Sequence, residues 1–261
     1  MNEILATSWA DLQEKLFEGA WMPELRLFRS QAAFRGLSRA EYHLETSLYR
    51  LCGHETNLER HLLRNFRKYA HRDVVEHDSA WHWLAVAQHH GLPTRLLDWT
   101  FSPFVAMHFA TNDIDTFDVA GAIWAVNYAQ AHQYLPTVFR QMLRAEGSDV
   151  LTVEMLSQVS CTLAEFDALS EENFVVFFEP PSLDDRIVNQ IALFSVLSDH
   201  QAALDDWLAR HPELFRKIII PAGLKWEIRD KLDQANVNER VLFPGLDGLS
   251  RWMKRRYRPR T

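Results

Sequence analysis

The residues best suited to chemistry are concentrated in one segment, residues 88–103, with the sequence QHHGLPTRLLDWTFSP. Its imidazoles, guanidinium and carboxylate are groups that move protons or bind anions, and rigid elements predicted on both sides would hold them as a preorganised site requires. A surface histidine pair, an Arg–Asp ion pair and a core tryptophan would explain the same composition without any function. The residues concerned are Gln88, His89, His90, Arg95, Asp98, Trp99 and Thr100.

Two further segments are candidates for the same site. In the tripeptide Phe34-Arg35-Gly36, Arg35 offers a fork of donors suited to phosphate or ribose oxygens, and Gly36 lets another backbone or a ligand approach closely. Later in the chain, Arg186 and Gln190 are one helical turn apart and would share a helix face. The second pattern also fits a helix-to-strand junction in which Gln190 binds backbone groups.

The sequence gives little support to metal, Ser-hydrolase or nucleotide-loop chemistry. A metal site would rest on His89, His90 and Asp98, but adjacent histidines point in different directions and no recognised spacing supplies further ligands. GxSxG, Walker, GxGxxG, HExxH and EF-hand patterns do not occur. We therefore expect no metal.

The elements that position these residues follow from hydrophobic periodicity and capping signals. Strands and helices alternate without a βαβ rhythm, which predicts an α+β single domain over residues 1–261 with one mixed core sheet. Residues 131–170 are predicted to be an inserted pair of helices, and residues 246–261 a basic helix and tail. Helix starts are predicted at Thr56, with Glu59 completing a capping box, at Asp78 or Ser79, and at Ser102 before Pro103.

Composition and charge indicate a folded protein that is acidic overall but has a basic carboxyl end. The 261 residues carry a formal net charge of −7, while the last segment, RWMKRRYRPRT, holds no acid. No apolar run reaches the ~18 residues of a membrane span, and the amino terminus lacks the layout of a signal peptide. With Cys52 and Cys161 as the only cysteines, we expect a cytoplasmic protein without a membrane role.

Two basic groups are candidate nucleic-acid contacts, although a solvated helix face is the more common explanation of each. The first lies opposite Leu58, Leu62, Phe66 and Tyr69, which we expect to face the core. The candidate contacts are Arg60, Arg64, Arg67, Lys68, Arg255 and Arg256.

In this order, these segments resemble the FRG-domain family, from about residue 20 to residue 255. The resemblance is carried by the Phe34-Arg35-Gly36 signature, the long QHHGLPTRLLDWT string, Pro103, Ala106, Phe109, Ala110, Arg186, Gln190, Phe194 and LFPGLDGL. The motif order is in turn similar to that of ADP-ribosyltransferase-like domains. It implies their fold, a mixed, split core sheet flanked by helices, with NAD as substrate.

The resemblance also implies roles for individual residues. Many such transferases have a glutamate where this chain has Gln190, so Asp98 is the first candidate for the carboxylate, before Glu179, Asp184 and Asp185. The implied catalytic residues are Arg35, His89, Asp98 and Gln190. The implied NAD-binding residues are Phe34, Arg35, Gly36, Thr94, Arg95, Trp99 and Thr100.

The function implied is that of a toxin-like enzyme that moves ADP-ribose to an intracellular macromolecule, with RNA favoured over protein as acceptor and with a neutralising antitoxin protein as partner. Two alternatives remain open at this point. One is a metal-free ribonuclease built on His89 and His90, and the other is a non-catalytic binding module whose polar cluster is structural.

Overall fold

A single eight-stranded mixed sheet forms the core of the computed structural model, which describes residues 2–53, 58–70 and 79–259. Its strand order is β1-β10-β6-β4-β5-β9-β8-β7, and β2 and β3 form a separate hairpin. The strands are β1 (Glu3–Leu5), β2 (Trp21–Met22), β3 (Leu27–Phe28), β4 (Ala32–Leu37), β5 (Leu96–Thr100), β6 (Gly121–Asn127), β7 (Leu151–Thr152), β8 (Val175–Glu179), β9 (Ala192–Leu197) and β10 (Phe215–Ile220).

The sheet consists of two four-stranded halves that barely pair with each other. Strand β4 pairs with β6 along its whole length, and β5 pairs likewise with β9. Between β4 and β5, however, the register contains only the pair Phe34↔Thr100. The parallel pairs β1/β10 and β7/β8 and the antiparallel remainder confirm the predicted mixed sheet.

Helices flank this sheet, as the α+β prediction requires. They are α1 (Trp9–Phe17), α2 (Ser47–Cys52), α3 (Leu58–Ala70), α4 (Ala80–His89), α5 (Pro103–Ala110), α6 (Tyr128–Ala131), α7 (Thr137–Glu146), α8 (Val153–Val159), α9 (Leu163–Asp167), α10 (Asp185–Gln190), α11 (Leu204–Ala209), α12 (Lys225–Gln234), α13 (Glu239–Leu242) and α14 (Leu246–Arg256). Among the described residues, no helix combines the length and apolar character that crossing a membrane requires.

Side-chain caps fix the helices that enter the candidate site. Ser79 accepts a hydrogen bond from the backbone N–H of His82 at the start of α4, and Ser102 accepts one from Val105 before Pro103 at the start of α5. Both predicted starts are confirmed. The capping box predicted at Thr56 lies outside the described residues.

The core divides in a way that leaves room beside the β4–β5 gap. Period-two alternation places Phe34, Asp98 and Thr100 on the same face of the sheet. On this face, α5 packs with Phe34 over one half, while α4 and α8 pack over the other half. Where these two clusters separate, the face is open.

Two predictions outside the site need correction. Residues 131–170 contain the three helices α7, α8 and α9 and the strand β7 rather than a pair of helices, and Phe139 and Phe166 from this segment pack against Phe174 in the core. Tyr69, expected in the core, is 77% exposed because α3 turns Leu63 and Phe66 inward instead.

Candidate functional site

A cavity of about 210 Å³ opens at the gap between the two halves of the sheet. It brings together the three sequence segments that we singled out, which come from β4, the end of α4 with β5, and α10. Convergence of separated segments on one concave surface is the usual mark of a ligand site. The lining residues are Phe34, Arg35, Gly36, Gln88, His89, Asp98, Trp99, Thr100, Phe109, Arg186, Ile187, Gln190, Ala192 and Phe194.

Arg35 is half-buried on β4 and reaches across the gap. Its Nη1 donates a hydrogen bond to the main-chain carbonyl of Asp98, while its buried Nε has no hydrogen-bond partner among the described residues. Burial lowers the pKa of Arg35, and Asp98 opposes that effect. A buried donor without a partner carries a desolvation cost that an oxygen-rich ligand would offset.

Asp98 extends its carboxylate to the open side of β5, where the side chain is exposed. Oδ2 accepts a hydrogen bond of 2.9 Å from Nε2 of Gln88, and Oε1 of Gln88 accepts one from the hydroxyl of Thr94. These bonds fix the orientation of the Gln88 amide and hold one carboxylate oxygen of Asp98. The carboxylate is thereby placed at the cavity without an ion pair to another described residue.

His89 lies at the last position of α4, and its side chain is 9% exposed. Its Nε2 lies 2.8 Å from Oδ2 of Asp184, whose Oδ1 accepts the backbone N–H groups of Arg186 and Ile187 as the cap of α10. Burial lowers the pKa of His89 despite the nearby carboxylate. Burial acts to raise the pKa of Asp184, but the hydrogen bonds from Ile187, His89 and Arg186 bring it below its ordinary value.

Gln190 ends α10 and is held by two hydrogen bonds. Its Nε2 donates to the carbonyl of Leu242 over 2.9 Å, and its own carbonyl accepts the hydroxyl of Thr100 over 2.7 Å. No hydrogen bond joins its Oε1 to another described residue, so the amide oxygen is left for a ligand. Ile191 follows with φ of 48°, a left-handed conformation that a β-branched residue rarely adopts.

Arg186 closes the cavity on the side of α10. Its Nη1 donates to the carbonyl of His89 over 3.3 Å, and its guanidinium lies 5.1 Å from the centroid of the Phe243 ring. The half-buried ring of Phe109 meets Phe243 edge-on at 6.2 Å. Phe109, Arg186 and Phe194 also line the cavity. Arg186 belongs to the third candidate segment of the sequence, whereas Phe109 and Phe194 were named only for the family resemblance and were given no site role.

The structure places the side chains of three predicted NAD contacts largely in the interior. Thr94 is 1% exposed and binds Gln88 and Ser47 at the start of α2, so it supports the site from behind. Arg95 is 4% exposed and is bound by the carboxylates of Glu59 and Asp167, which occupy its donors. Trp99 contributes its strand to the cavity, but its indole packs at 5.5 Å against Phe177 in the core.

Gly36 lines the cavity for a packing reason rather than for ligand binding. A Cβ atom at this position would lie 1.9 Å from the carbonyl oxygen of Ala106 and 2.6 Å from the backbone nitrogen of Ala110. The close approach that the sequence suggested is therefore that of α5 to β4. Phe34 is likewise fully buried and packs with α5, so it forms the floor of the cavity.

Some of the predicted nucleic-acid contacts are exposed, whereas others are already in contact with other side chains. Arg60, Arg64, Lys68 and Arg256 are exposed on α3 and α14. Arg67 is half-buried over the ring of Trp83, at 5.7 Å.

Arg255 is 6% exposed, and its guanidinium is bound by the carboxylates of Asp233 and Glu239. Its predicted contact with nucleic acid is wrong, because a buried guanidinium already bound by two carboxylates has no face left for phosphate.

His90 lies outside the cavity, exposed beside His89 with the two ring centroids 5.1 Å apart. Within residues 2–53, 58–70 and 79–259, no three His, Cys, Asp or Glu side chains are placed to share a metal ion.

Comparison with known proteins identifies residues 30–119 as a match to the FRG domain family. The matched range holds Arg35 and the whole 88–103 segment, and it ends before Arg186 and Gln190. Neither the comparison with curated proteins nor that with solved structures gave a match. The family match therefore covers two of the three segments that form the cavity.

Proposed function

We propose that this FRG-domain protein is a toxin-like ADP-ribosyltransferase that moves ADP-ribose from NAD to an intracellular macromolecule, with RNA as the favoured acceptor. One observation carries the proposal. Arg35, the 88–100 segment and Gln190 come from distant parts of the chain and line one cavity at the gap in the sheet. Folding alone does not require an exposed carboxylate, a half-buried guanidinium with an unpartnered donor and a free amide oxygen to meet there.

The reaction makes demands that these side chains suit. The bond between ribose C1′ and the nicotinamide nitrogen breaks, positive charge develops on the ribose, and nicotinamide leaves as a neutral group. Placement of the sugar and stabilisation of that charge are then the main tasks of the protein. At about 210 Å³, the cavity is smaller than the ~300–1,000 Å³ of pockets that enclose drug-sized ligands, so it would enclose only part of the dinucleotide.

Each polar side chain has a role in this proposal. The donors of Arg35 would hold a phosphate or the adenosine ribose. The carboxylate of Asp98 and the amide oxygen of Gln190 would accept hydrogen bonds from the hydroxyls of the nicotinamide ribose, and the negative charge of Asp98 would stabilise the developing positive charge. Because Trp99 is in the core, Phe109 takes over its predicted role as the aromatic face for nicotinamide.

RNA is proposed as the acceptor because exposed cations lie on a body of net negative charge. The exposed guanidinium and ammonium groups of Arg60, Arg64, Lys68 and Arg256 would hold phosphates with salt-sensitive affinity. A neutralising protein partner, implied by the resemblance to toxin-like family members, would act by covering the cavity.

The ribonuclease alternative is less well supported. Cleavage by paired histidines needs one imidazole to take a proton and another to give one. Only His89 of the pair lines the cavity, whereas His90 is exposed outside it. The lining therefore offers a proton acceptor without the second imidazole.

Labelling from NAD provides the direct test. Purified protein, total RNA and NAD bearing a labelled adenosine half should yield labelled RNA and free nicotinamide. Arg35→Ala should abolish both, whereas Arg39→Ala, which removes a nearby arginine that pairs with Glu41 outside the cavity, should retain them. Since Arg35 also binds a carbonyl on β5, thermal melting of each variant checks that the fold persists. RNA shortened without NAD, or no nicotinamide release with RNA or cell lysate present, would refute the proposal.

A further inference from the structure

We infer that His89 and Asp184 form a proton-accepting pair in which Asp184 positions the imidazole, and that the acceptor of the transfer reaction is accordingly a hydroxyl group. This inference rests on the proposed function and names the chemical class of its second substrate. Asp184 caps α10 and His89 ends α4, so the pair joins two elements that border the cavity. His89 touches the cavity and Asp184 acts through it.

The hydrogen bond fixes which ring nitrogen can act as a base. Ionised Asp184 only accepts hydrogen bonds, so the 2.8 Å contact requires Nε2 of His89 to carry the proton. The lone pair of the neutral imidazole is then on Nδ1. No hydrogen bond joins Nδ1 to another described residue, which leaves it available for a proton.

Asp184 is held in place independently of the histidine. Its Oδ1 accepts the backbone N–H groups of Arg186 and Ile187 at 2.9 and 3.1 Å, while Oδ2 faces Nε2 of His89. The carbonyl of His89 in turn accepts Nη1 of Arg186. The imidazole is thus fixed at its ring and at its backbone, as a preorganised base requires.

An O–H nucleophile is the substrate for which such a pair is needed. A hydroxyl holds its proton far more tightly than imidazole does, so its attack is assisted when a base removes the proton as the new bond forms. Thiolates and neutral amines attack without that help. On RNA, the hydroxyl in question is the ribose 2′-OH.

The step balances without any further reactant. The acceptor oxygen forms a bond to C1′ of the nicotinamide ribose, the C1′–nitrogen bond breaks, and its electron pair leaves with neutral nicotinamide. The hydroxyl proton moves to Nδ1 of His89, where the carboxylate of Asp184 stabilises the imidazolium until the proton passes to solvent.

Asp184→Asn separates the positioning role from the structural one. Asparagine caps helices as well as aspartate does, so the start of α10 should be preserved while the charge on His89 is lost. Asp185→Asn is the matched control, because Asp185, although a reserve candidate by sequence, is exposed and is not among the residues that line the cavity. Transfer to RNA should fall at least about 10-fold in Asp184→Asn and His89→Ala and remain unchanged in Asp185→Asn.

The pH profile supplies a readout that a purely structural residue would not move. The groups acting on His89 are Asp184 and Arg186 on the side of α10 and His90 beside it, while Arg35 and Asp98 share its cavity. Asp184 favours the protonated imidazole, so its removal should shift the acidic limb of the kcat/KM profile to lower pH. If the acidic limb did not shift, or if Asp184→Asn transferred ADP-ribose at the wild-type rate, the inference would be overturned. The proposed function would still stand in that case, provided that the wild-type protein releases nicotinamide.

A chemically modified acceptor tests the hydroxyl directly. RNA of identical sequence carrying 2′-O-methyl groups should not be labelled, although it has the same phosphates and bases. Labelling of that RNA at the rate of unmodified RNA would overturn the assignment of the ribose 2′-hydroxyl. A wild-type protein that releases no nicotinamide with any acceptor would instead remove the proposed function itself.

Discussion

Arg35 donates a hydrogen bond to the main-chain carbonyl of Asp98 across the gap at which the two halves of the sheet meet. The partner is the carbonyl rather than the carboxylate, so the side chain of Asp98 stays with Gln88 at the cavity. One guanidinium therefore bridges β4 and β5 and also lines the cavity that they leave open. Arg35 therefore both stabilises the junction between the two halves of the sheet and supplies a donor to the candidate site.

The first prediction concerns the close approach of β4 and α5. Gly36→Ala should lower the free energy of unfolding by about 1–3 kcal/mol or more. The new Cβ atom would overlap the backbone of Ala106, and this backbone cannot move aside as a flexible side chain could. Gly223→Ala is the control, since nothing lies within 4 Å of its Cβ position and its φ is not left-handed. Urea denaturation measures both, and equal stability of the two variants would contradict the packing role of Gly36.

The sequence predicted the elements whose signals are local. Ser79 and Ser102 predicted the starts of α4 and α5, where the structure has them. Strand β1 escaped notice because three residues carry no periodicity and their parallel partner, β10, is about two hundred residues away.

Site residues were predictable as a group but less so in their individual roles. From the sequence alone, Arg95 is a candidate ligand-binding residue. In the structure its guanidinium is bound by Glu59 and Asp167, which lie 36 and 72 positions away along the chain. Pairing over such distances follows from the tertiary fold and leaves no local signal. Asp184 was named only as a reserve candidate for the carboxylate, and its pairing with His89 was not predicted because only the fold brings the two side chains together.

Ile191 allows a test of strain next to the site. Ile191→Gly should raise the free energy of unfolding by about 1 kcal/mol, because a left-handed conformation costs a β-branched residue more than glycine and the side chain is half exposed. Val188→Gly, at a similarly exposed position within α10, should instead lower it by about 1 kcal/mol. Thermal and urea denaturation compare the two, and a loss of stability in both would show that Ile191 is not strained.

Adjacent arginines on α14 should behave in opposite ways. Arg255→Ala should cost about 3–5 kcal/mol, because it leaves the carboxylates of Glu239 and Asp233 without their partner in the interior. Arg256→Ala should change stability by less than about 0.5 kcal/mol and weaken RNA binding, measured by fluorescence anisotropy at several salt concentrations. Unchanged RNA binding by the Arg256→Ala variant would show that Arg256 is not part of the proposed RNA-binding surface.

Burial of His132 should make the folded protein less stable in acid. Its Nδ1 donates to the carbonyl of Asp149 and its Nε2 accepts the N–H of Phe177, each over 2.9 Å, so the neutral ring is satisfied at both nitrogens. Burial, opposed by Asp149, lowers the pKa of His132 from 6.5 to about 4. The folded state disfavours protonation of His132. The contribution of the neutral ring to the free energy of unfolding is therefore complete above pH 6.5 and is lost as the pH falls towards 4.

The size of that loss is about 3 kcal/mol, from the shift of the His132 pKa. Urea denaturation of the wild type and of His132→Gln between pH 7 and pH 4 should show the difference in stability narrowing by this amount. Other groups that titrate in the range, including His108, are present in both proteins and cancel. A difference that stays constant with pH would mean that His132 does not titrate differently on unfolding.

Gln190→Glu tests whether the transferase-like glutamate can be restored. The Nε2 of Gln190 donates to the carbonyl of Leu242, and a carboxylate there would have no donor and would face that oxygen. We expect a loss of about 1–3 kcal/mol and no gain in ADP-ribose transfer, because the amide holds the segment that leads into α14. Asn189→Asp removes the equivalent, more exposed bond to Val241 and should cost less than about 1 kcal/mol. Urea denaturation and the labelling assay measure both variants, and faster labelling by a fully stable Gln190→Glu protein would show that position 190 serves the reaction through its oxygen alone.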